Sequence, residues 1–280
     1  MLKKTLSILG TFSLICFSFY YTDVAIDVIR KTDPIMKEII NYSNFYGNTS
    51  IEASLVNNNF IPGVKGSFVD LEKSYNNMKR LGYFDESLIV FEESLPSSSI
   101  NNTYNYYIIS GNKEKNKVSL VFIFEDTSFI EDIIKILNSK DVKATFFIND
   151  IDFSDSLDLV KLILLSGHEV ELFSKTYDSL EIKKYSSMKK ILTGRNLSYC
   201  YTNLKNTLIL NNCKEQKMHT IIPSIITGNY LYNDVKKNLD NGSIISISNN
   251  YNAVRELSST INYIFQKGKE IVLVSKLLEE

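Results

Sequence analysis

The chain has 280 residues, 44% of them hydrophobic and 12% aromatic, enough to bury a sizeable core in one large domain with an extension or in two modest domains. Its 31 lysines and arginines nearly balance its 32 aspartates and glutamates, which gives a formal net charge of −1. This balance indicates no basic face, so we do not expect nucleic acid as a partner.

The first 22 residues predict a membrane anchor. Lys3 and Lys4 precede a mostly apolar run over residues 5–21, which Asp23 closes. A run of about 17 residues is at the short end for a spanning helix and also suits the core of a signal peptide. The run ends in aromatic side chains, which suit a membrane interface and not a signal peptidase. We therefore expect an uncleaved, single-pass anchor in the cell membrane with the body of the chain outside the cytoplasm, or a secreted protein if the segment is cleaved.

Three cysteines have to be placed. Cys16 lies in the apolar run, whereas Cys200 and Cys213 lie in the body of the chain. An external compartment permits a disulfide, but the sequence does not give the distance between these two residues. We take two buried, free thiols as the prediction.

Residues 23–112 predict a small α+β extension with no recognisable chemistry. Asp33 and Pro34 are typical of a helix start, and Asp70 is typical of the cap of a second helix that Gly82 ends. Strands are predicted over residues 87–91 and 106–109.

After residue 112 the pattern becomes regular and predicts a parallel α/β domain over residues 113–280. Short apolar runs alternate with amphipathic segments, which is typical of repeated βα units. Ser128 and Glu131 have the spacing of a capping box, Ser154 is predicted to start the next helix, and Gly167 to stop it. Asp178 is predicted to open a third helix. The predicted strands cover residues 119–124, 144–148, 169–173, 198–201, 220–222, 243–248 and 271–274.

Several motifs in this domain resemble those of the NodB-type polysaccharide deacetylases. They are V-S-L-V-F-I-F-E-D-T from Val118, V-K-A-T-F-F-I from Val142, S-G-H-E-V-E-L-F-S-K-T-Y-D-S-L from Ser166 and G-S-I-I-S-I-S-N from Gly242. The resemblance covers about residues 117–278. It implies an incomplete (β/α)7 barrel and the removal of acetyl groups from N-acetylated cell-wall polysaccharide. It also implies a zinc ion or another divalent metal, held by an aspartate and by two histidines four residues apart on one side of a helical turn.

The positions that correspond to these metal ligands are substituted. Phe173 and Tyr177 stand where the family has its two histidines, and Ser248 and Asn249 stand where it has a histidine and an aspartate. A phenyl ring has no lone pair for a metal, and a phenol with a pKa near 10 is a poor ligand. We therefore predict that the domain holds no metal and no other cofactor.

The acidic motif can be aligned in two registers, and the sequence leaves both open. If Phe122 is the family's phenylalanine, Ile123 and Phe124 replace the acidic pair. If Phe124 is that phenylalanine, Glu125 and Asp126 supply two carboxylates.

These observations support three functional hypotheses. The first is a catalytically inactive cell-envelope protein that binds glycan or acts as a scaffold. In it, Phe173, Tyr177, Tyr199 and Tyr201 gather at the carboxyl ends of the strands and cover sugar rings, or simply fill the old cavity. The second is an active hydrolase of carbon–nitrogen bonds with Glu125 as base, Asp126 as ligand, and His168 or Glu171 assisting. The third is a structural protein whose extension contacts a protein partner that the sequence does not identify.

Overall fold

The computed structural model describes residues 12–22, 32–124, 127–149 and 157–280. Two compact units account for them, one of Met1–Ser50 with Lys65–Ser94 and one of Ile51–Val64 with Leu95–Glu280. The strands are β1 (Ser54–Val56), β2 (Asn59–Ile61), β3 (Gly66–Val69), β4 (Phe91–Ser94), β5 (Tyr107–Ile108), β6 (Lys117–Phe124), β7 (Thr145–Asn149), β8 (Glu169–Phe173), β9 (Tyr199–Tyr201), β10 (His219–Ile221), β11 (Ile225–Ile226), β12 (Ile244–Ser248) and β13 (Glu270–Ile271). The helices after residue 31 are α1 (Pro34–Tyr46), α2 (Leu71–Met78), α3 (Ile130–Ser139), α4 (Leu157–Leu165), α5 (Ser179–Thr193), α6 (Thr207–Glu215), α7 (Leu231–Asn238), α8 (Tyr251–Gln266) and α9 (Val274–Leu277).

Part of the predicted anchor is described. Residues 12–22 are helical, and their large apolar side chains are exposed, while residues 1–11 lie outside the described residues. Over the described ranges, no helix combines the length and the apolar character that crossing a membrane requires.

The first unit contains α1 and α2 beside the antiparallel pair β3–β4. Both helices begin where the sequence predicts: Asp33 accepts a hydrogen bond from the Ile35 amide at 2.8 Å, and Asp70 accepts one from the Lys73 amide at 2.9 Å. A separate small core of Ile39, Val69 and Met78 holds this unit together.

The second unit is the predicted parallel α/β domain. One sheet has the order β11-β12-β6-β7-β8 with β13 beside β6, and all its strands are parallel. The other has the order β1-β2-β5-β10-β9, in which only the β1–β2 pair is antiparallel. Because β5 pairs with β10, residues on both sides of the predicted boundary after residue 112 share one sheet. That boundary stays a prediction.

Four local predictions are wrong. The segment 87–91 is not a strand, because Asp85 accepts from the Ser87 amide and caps the short 3-10 helix Glu86–Leu88. Ser128 is not the cap of α3, whose N-cap residue is Phe129 in the left-handed conformation. The last strand ends at Ile271 instead of residue 274, and β11 was not predicted. Ser154 lies outside the described residues.

The central strands divide their side chains between two cores. Leu120, Phe122 and Phe124 of β6 are buried in the larger cluster, which packs against the helices. The alternate residues Val121 and Ile123 contact a second cluster. This period of two is the expected geometry of strands covered on both faces.

Cys200 of β9 and Cys213 of α6 form a disulfide, with their Cα atoms 6.4 Å apart. The prediction of two free thiols is therefore wrong. The chain turns back after β9, so that α6 lies against the strand and brings the second cysteine to the first. Cys16 is free and exposed.

We expect reduction of this disulfide to lower the free energy of unfolding by about 2–4 kcal/mol, because the bond restricts the unfolded chain. Urea unfolding with and without reductant measures the effect, and Cys16→Ser serves as the control that changes nothing. Without reductant, a thiol count in denaturant should find Cys16 alone; reactive thiols from Cys200 and Cys213 would contradict the bond.

Candidate functional site

The carboxyl ends of the parallel strands meet at one edge of the second unit. The Cα atom of Ile123 lies opposite that of Ser248 on β12, and Asn149 lies opposite Phe173 on β8. We call the group at this edge the strand-end site. Its described members are Ile123, Asn149, Phe173, Tyr201, Asn203, Ser246 and Ser248. Residues 125–126 and 150–156, which continue from β6 and β7, lie outside the described residues, and Glu125 and Asp126 are among them.

Side chains without metal-binding atoms occupy the described end of β6. Ile123 is half-buried against the second cluster, and Phe124 is fully buried in the larger one. In the first register these two residues replace the acidic pair. Ile123 faces Ser248 across the sheet, so the two substituted motifs lie side by side.

Phe173 is the last residue of β8 and is half-buried. Its ring lies edge-on to that of Tyr201, with the centroids 6.0 Å apart. A phenyl ring at this position offers an apolar face to a ligand and no donor atom to a metal.

Tyr177 has a structural contact for each lone hydrogen-bonding group of its phenol. The side chain is fully buried in the larger cluster. Its hydroxyl donates to the Leu172 carbonyl at 3.0 Å and accepts from the Tyr201 amide at 2.9 Å. Burial raises the pKa of the phenol above its ordinary value, so the hydroxyl stays protonated.

Phe173 and Tyr177 do not lie on one helical turn. Residues 174–178 form no helix, and Tyr177 has a φ of 53°. The helical spacing that the resemblance implied for these two positions is therefore wrong here, and their rings belong to different cores.

Glu171 is held in a second structural contact between β8 and β9. Its carboxylate accepts from the amides of Ser198 at 3.0 Å and Tyr199 at 3.3 Å, and it pairs with Lys189 of α5 at 2.6 Å. Glu171 and Lys189 are both buried. Burial raises the pKa of the Glu171 carboxyl, while Lys189 and the Ser198 amide counteract that rise. Both oxygens of this carboxylate are thus engaged by contacts within its own fold.

His168 lies at the other end of the strands. Its Nδ1 accepts from the Ala144 amide at 3.2 Å, and burial, with the nearby Lys143, lowers its pKa to about 4. Ala144 is in register with residue 120, four positions before Phe124, which is about 13 Å along the strands. His168 is therefore distant from the end of β6, whereas Glu171 is level with Ile123 but engaged by its own contacts. The assisting roles that the second hypothesis gives to His168 and Glu171 stay predictions.

The tyrosines of β9 are buried. Tyr201 lies in the strand-end site, where its hydroxyl is 2.6 Å from Ser246 Oγ and also hydrogen-bonds Asn203. Tyr199 is two residues nearer the amino end, beside His219. Burial raises the pKa of both phenols. The exposed fractions of Tyr177, Tyr199 and Tyr201 are 0%, 8% and 3%, so the one predicted ring with an accessible face is that of Phe173.

The described residues do not fit a catalytic metal. Nowhere in residues 12–22, 32–124, 127–149 and 157–280 do three or more histidines, cysteines, aspartates or glutamates form a group able to hold a metal ion. Zinc and similar ions require such donors. Sequence reasoning missed Lys189 and the hydroxyl and amide groups around Tyr201, although the alternation of acidic residues in Glu169-Val170-Glu171 pointed to an inward-facing charge.

Comparison with known proteins confirms the predicted resemblance. Residues 110–198 match the family model described as polysaccharide deacetylase. The chain is 24% identical over 287 residues to the uncharacterized protein YlxY of Bacillus subtilis (strain 168), a match that covers 91% of this chain and 86% of that protein.

Solved structures share the fold. BA3943, a CE4 family pseudoenzyme from Bacillus anthracis, superposes with a TM-score of 0.68 at 24% identity, covering 89% of this chain and 96% of that one. A BA3943 mutant with restored enzymatic activity gives the same TM-score of 0.68. The peptidoglycan N-acetylglucosamine deacetylase Bc1960 gives 0.54 at 23% identity, covering 61% of this chain and 92% of that one.

We expect Tyr177→Phe to lower the free energy of unfolding by about 1–3 kcal/mol, because a buried carbonyl and a buried amide each lose their partner. Urea denaturation measures the change. Tyr199→Phe is the matched control, since the Tyr199 hydroxyl has no hydrogen-bond partner among the described residues, and it should cost no more than about 0.5 kcal/mol. Equal losses in the two variants would show that the Tyr177 hydroxyl has no bridging role.

We expect Lys189→Met to cost about 3–5 kcal/mol at neutral pH, because it leaves the Glu171 charge buried and unpaired. The folded pKa of Glu171 then lies still further above its unfolded value of about 4.3. The folded state binds more protons than the unfolded state between these two pKa values, so the free energy of unfolding should fall as pH rises through that window. Denaturation at a series of pH values measures this slope, and adding Glu171→Gln should abolish it. A Lys189→Met protein whose stability does not change with pH would refute the buried pair.

Proposed function

We propose that this polysaccharide deacetylase-type domain is catalytically inactive and binds neutral glycan at the strand-end site. One observation carries the proposal. Where the resemblance requires metal-binding histidines, Phe173 has no lone pair, and Tyr177 is buried with its hydroxyl engaged by two main-chain groups.

The missing donors matter because of what the reaction requires. Removing an acetyl group from an amide nitrogen needs an activated water and stabilisation of the oxyanion, which a metal with an open coordination position supplies. It also needs a proton for the leaving amine. Ser248 and Asn249, at the position of the family's histidine and aspartate, do not titrate near neutral pH and cannot provide that proton.

The composition of the strand-end site suits a sugar. The accessible ring of Phe173 lies beside Asn149 and close to the hydroxyls of Tyr201 and Ser246. An apolar face with nearby hydroxyl and amide groups matches a pyranose ring, which has apolar faces and hydroxyls at its rim. All described members of the site are uncharged, which favours a neutral glycan.

The alternative is a hydrolase that uses Glu125 and Asp126. No described residue favours it, because His168 is at the opposite end of the strands and Glu171 is paired with Lys189. The scaffold hypothesis remains compatible with the loss of catalysis, and a glycan-binding experiment separates it from the proposal.

We also propose that strands β6 to β12 form the incomplete seven-stranded barrel, and that the protein works in the cell envelope with this domain outside the cytoplasm. The parallel order of the strands supports the barrel. The disulfide Cys200–Cys213 supports an oxidising compartment, and the exposed apolar side chains of residues 12–22 support attachment to the membrane.

We expect the purified protein to bind N-acetylglucosamine oligomers without releasing acetate and without stoichiometric zinc. Calorimetry measures binding, an acetate assay measures turnover, and metal analysis measures zinc. Phe173→Ala should reduce the affinity by about tenfold, because the accessible ring face is lost. Phe45→Ala is the control, since Phe45 is 84% exposed and lies in the other unit.

Acetate release that depends on Asp126 would refute the inactive assignment and establish the hydrolase. Failure to bind any neutral oligomer, with folded protein and no turnover, would favour the scaffold.

A further inference from the structure

A second concave surface lies in the same unit, between α5 and the turn that follows α6. It encloses about 430 Å³. We call it the lysine groove. Its polar lining consists of Lys183, Ser187, Lys190, Asn196, Gln216 and Lys217.

The three lysines are positioned on two walls. Lys183 and Lys190 are seven residues apart on α5, so they lie on one face of the helix, two turns or about 10 Å apart. Lys217 stands on the opposite wall, just after α6. A ligand in the groove would therefore meet positive charge from both sides.

Nothing described neutralises these charges. Lys183, Lys190 and Lys217 form no ion pair with any described acidic residue, whereas Lys65, Lys73 and others on the surface do. No aspartate or glutamate is among the residues that line the groove. The chain as a whole is nearly neutral, so this group of unpaired cations is a local feature.

The backbone at Lys217 adds an independent observation. Its φ is 55°, a left-handed conformation that favours glycine and costs another residue about 1 kcal/mol. The position follows the end of α6, where the Met218 amide donates to the Cys213 carbonyl at 2.9 Å, and where helices commonly have glycine. A lysine therefore occupies a position that its backbone disfavours. The disulfide at Cys213 fixes this wall against β9 and holds the site ready for a ligand.

The floor of the groove limits what can bind. Ile182, Leu197 and Met218 form it and are buried, so no open apolar channel receives an acyl chain. No aromatic ring lines the groove, and sequence-independent binding of single-stranded nucleic acid depends on such rings. The serine, asparagine and glutamine side chains can instead hydrogen-bond the hydroxyl groups of a sugar.

We propose that the lysine groove binds a glycan that carries carboxylate or phosphate groups, as a second site separate from the strand-end site. The glycan part of this assignment rests on the proposed function, whereas the anionic part rests on the three lysines. Charge-assisted hydrogen bonds from the lysines hold the anionic groups, and the hydroxyl and amide side chains contact the sugar.

The test measures the affinity of the full chain for a hyaluronate oligosaccharide, inorganic tripolyphosphate and a neutral N-acetylglucosamine oligomer by calorimetry. We expect the two anions to bind more weakly at about 200 mM than at about 50 mM salt. The double variant Lys183→Gln/Lys190→Gln should lose roughly tenfold or more of this affinity. Its binding of the neutral oligomer should not change, because that oligomer occupies the strand-end site.

Two single variants guard against effects on folding. Lys217→Gly removes a charge and relieves the left-handed backbone, so its thermal midpoint should equal or exceed that of the parent while its affinity for anions falls several-fold. Lys184→Gln lies on the same helix but does not line the groove, and its affinity should stay within about twofold of the parent.

Unchanged anion binding in the double variant would overturn the proposal. So would stronger binding of single-stranded DNA, or of phosphatidylglycerol vesicles that engage the exposed Leu180 and Ile191 of α5, than of the anionic glycan. Loss of neutral-oligomer binding alone would overturn the strand-end site and leave the lysine groove standing, which separates the two failures.

Discussion

Between β8 and β9 the ladder of main-chain hydrogen bonds is interrupted, and side chains bridge the gap. The Tyr177 hydroxyl satisfies the Leu172 carbonyl and the Tyr201 amide, and the Glu171 carboxylate satisfies the amides of Ser198 and Tyr199. Buried main-chain groups must have partners. A residue that supplies them is not free to act on a ligand, so this constraint decides the role of the two polar residues that the sequence placed nearest to the chemistry.

The fold does not depend on the lost donors. Phe122, Phe124 and Phe146 stack with centroids 5.3 to 6.3 Å apart in the core that faces the helices, on the opposite face of the strands from Ile123. Packing on one face of β6 is thus separate from chemistry on the other. A strand can exchange a polar residue for an apolar one at its inward positions while the helices keep the same partners, which is how a deacetylase-type architecture persists in a chain without the metal-binding side chains.

The sequence predicts what periodicity encodes and little of what depends on distant contacts. The strands from β6 to β8 were predicted within two residues because apolar runs alternate with capped helices, and the helix starts at Asp33, Asp70 and Asp178 follow from local hydrogen bonds. The Cys200–Cys213 bond and the bridge at Tyr177 could not be predicted, since each depends on the path of the chain between two elements. The lysine groove escaped notice for a related reason: net charge sums over the whole surface and hides a local excess. The fold was thus largely accessible, whereas the site was accessible only as a set of substitutions.

The pairing of β5 with β10 has a consequence for the order in which the protein is made. Tyr107 and Ile108 find their partners Thr220 and Ile221 only near the end of the chain, and β2 joins the sheet through β5. A chain leaving the ribosome exposes these early strands until β10 emerges, with their edges open to other chains. Folding of this unit is therefore delayed until late in translation, and a polypeptide that stops before residue 219 lacks the strand that would close its sheet.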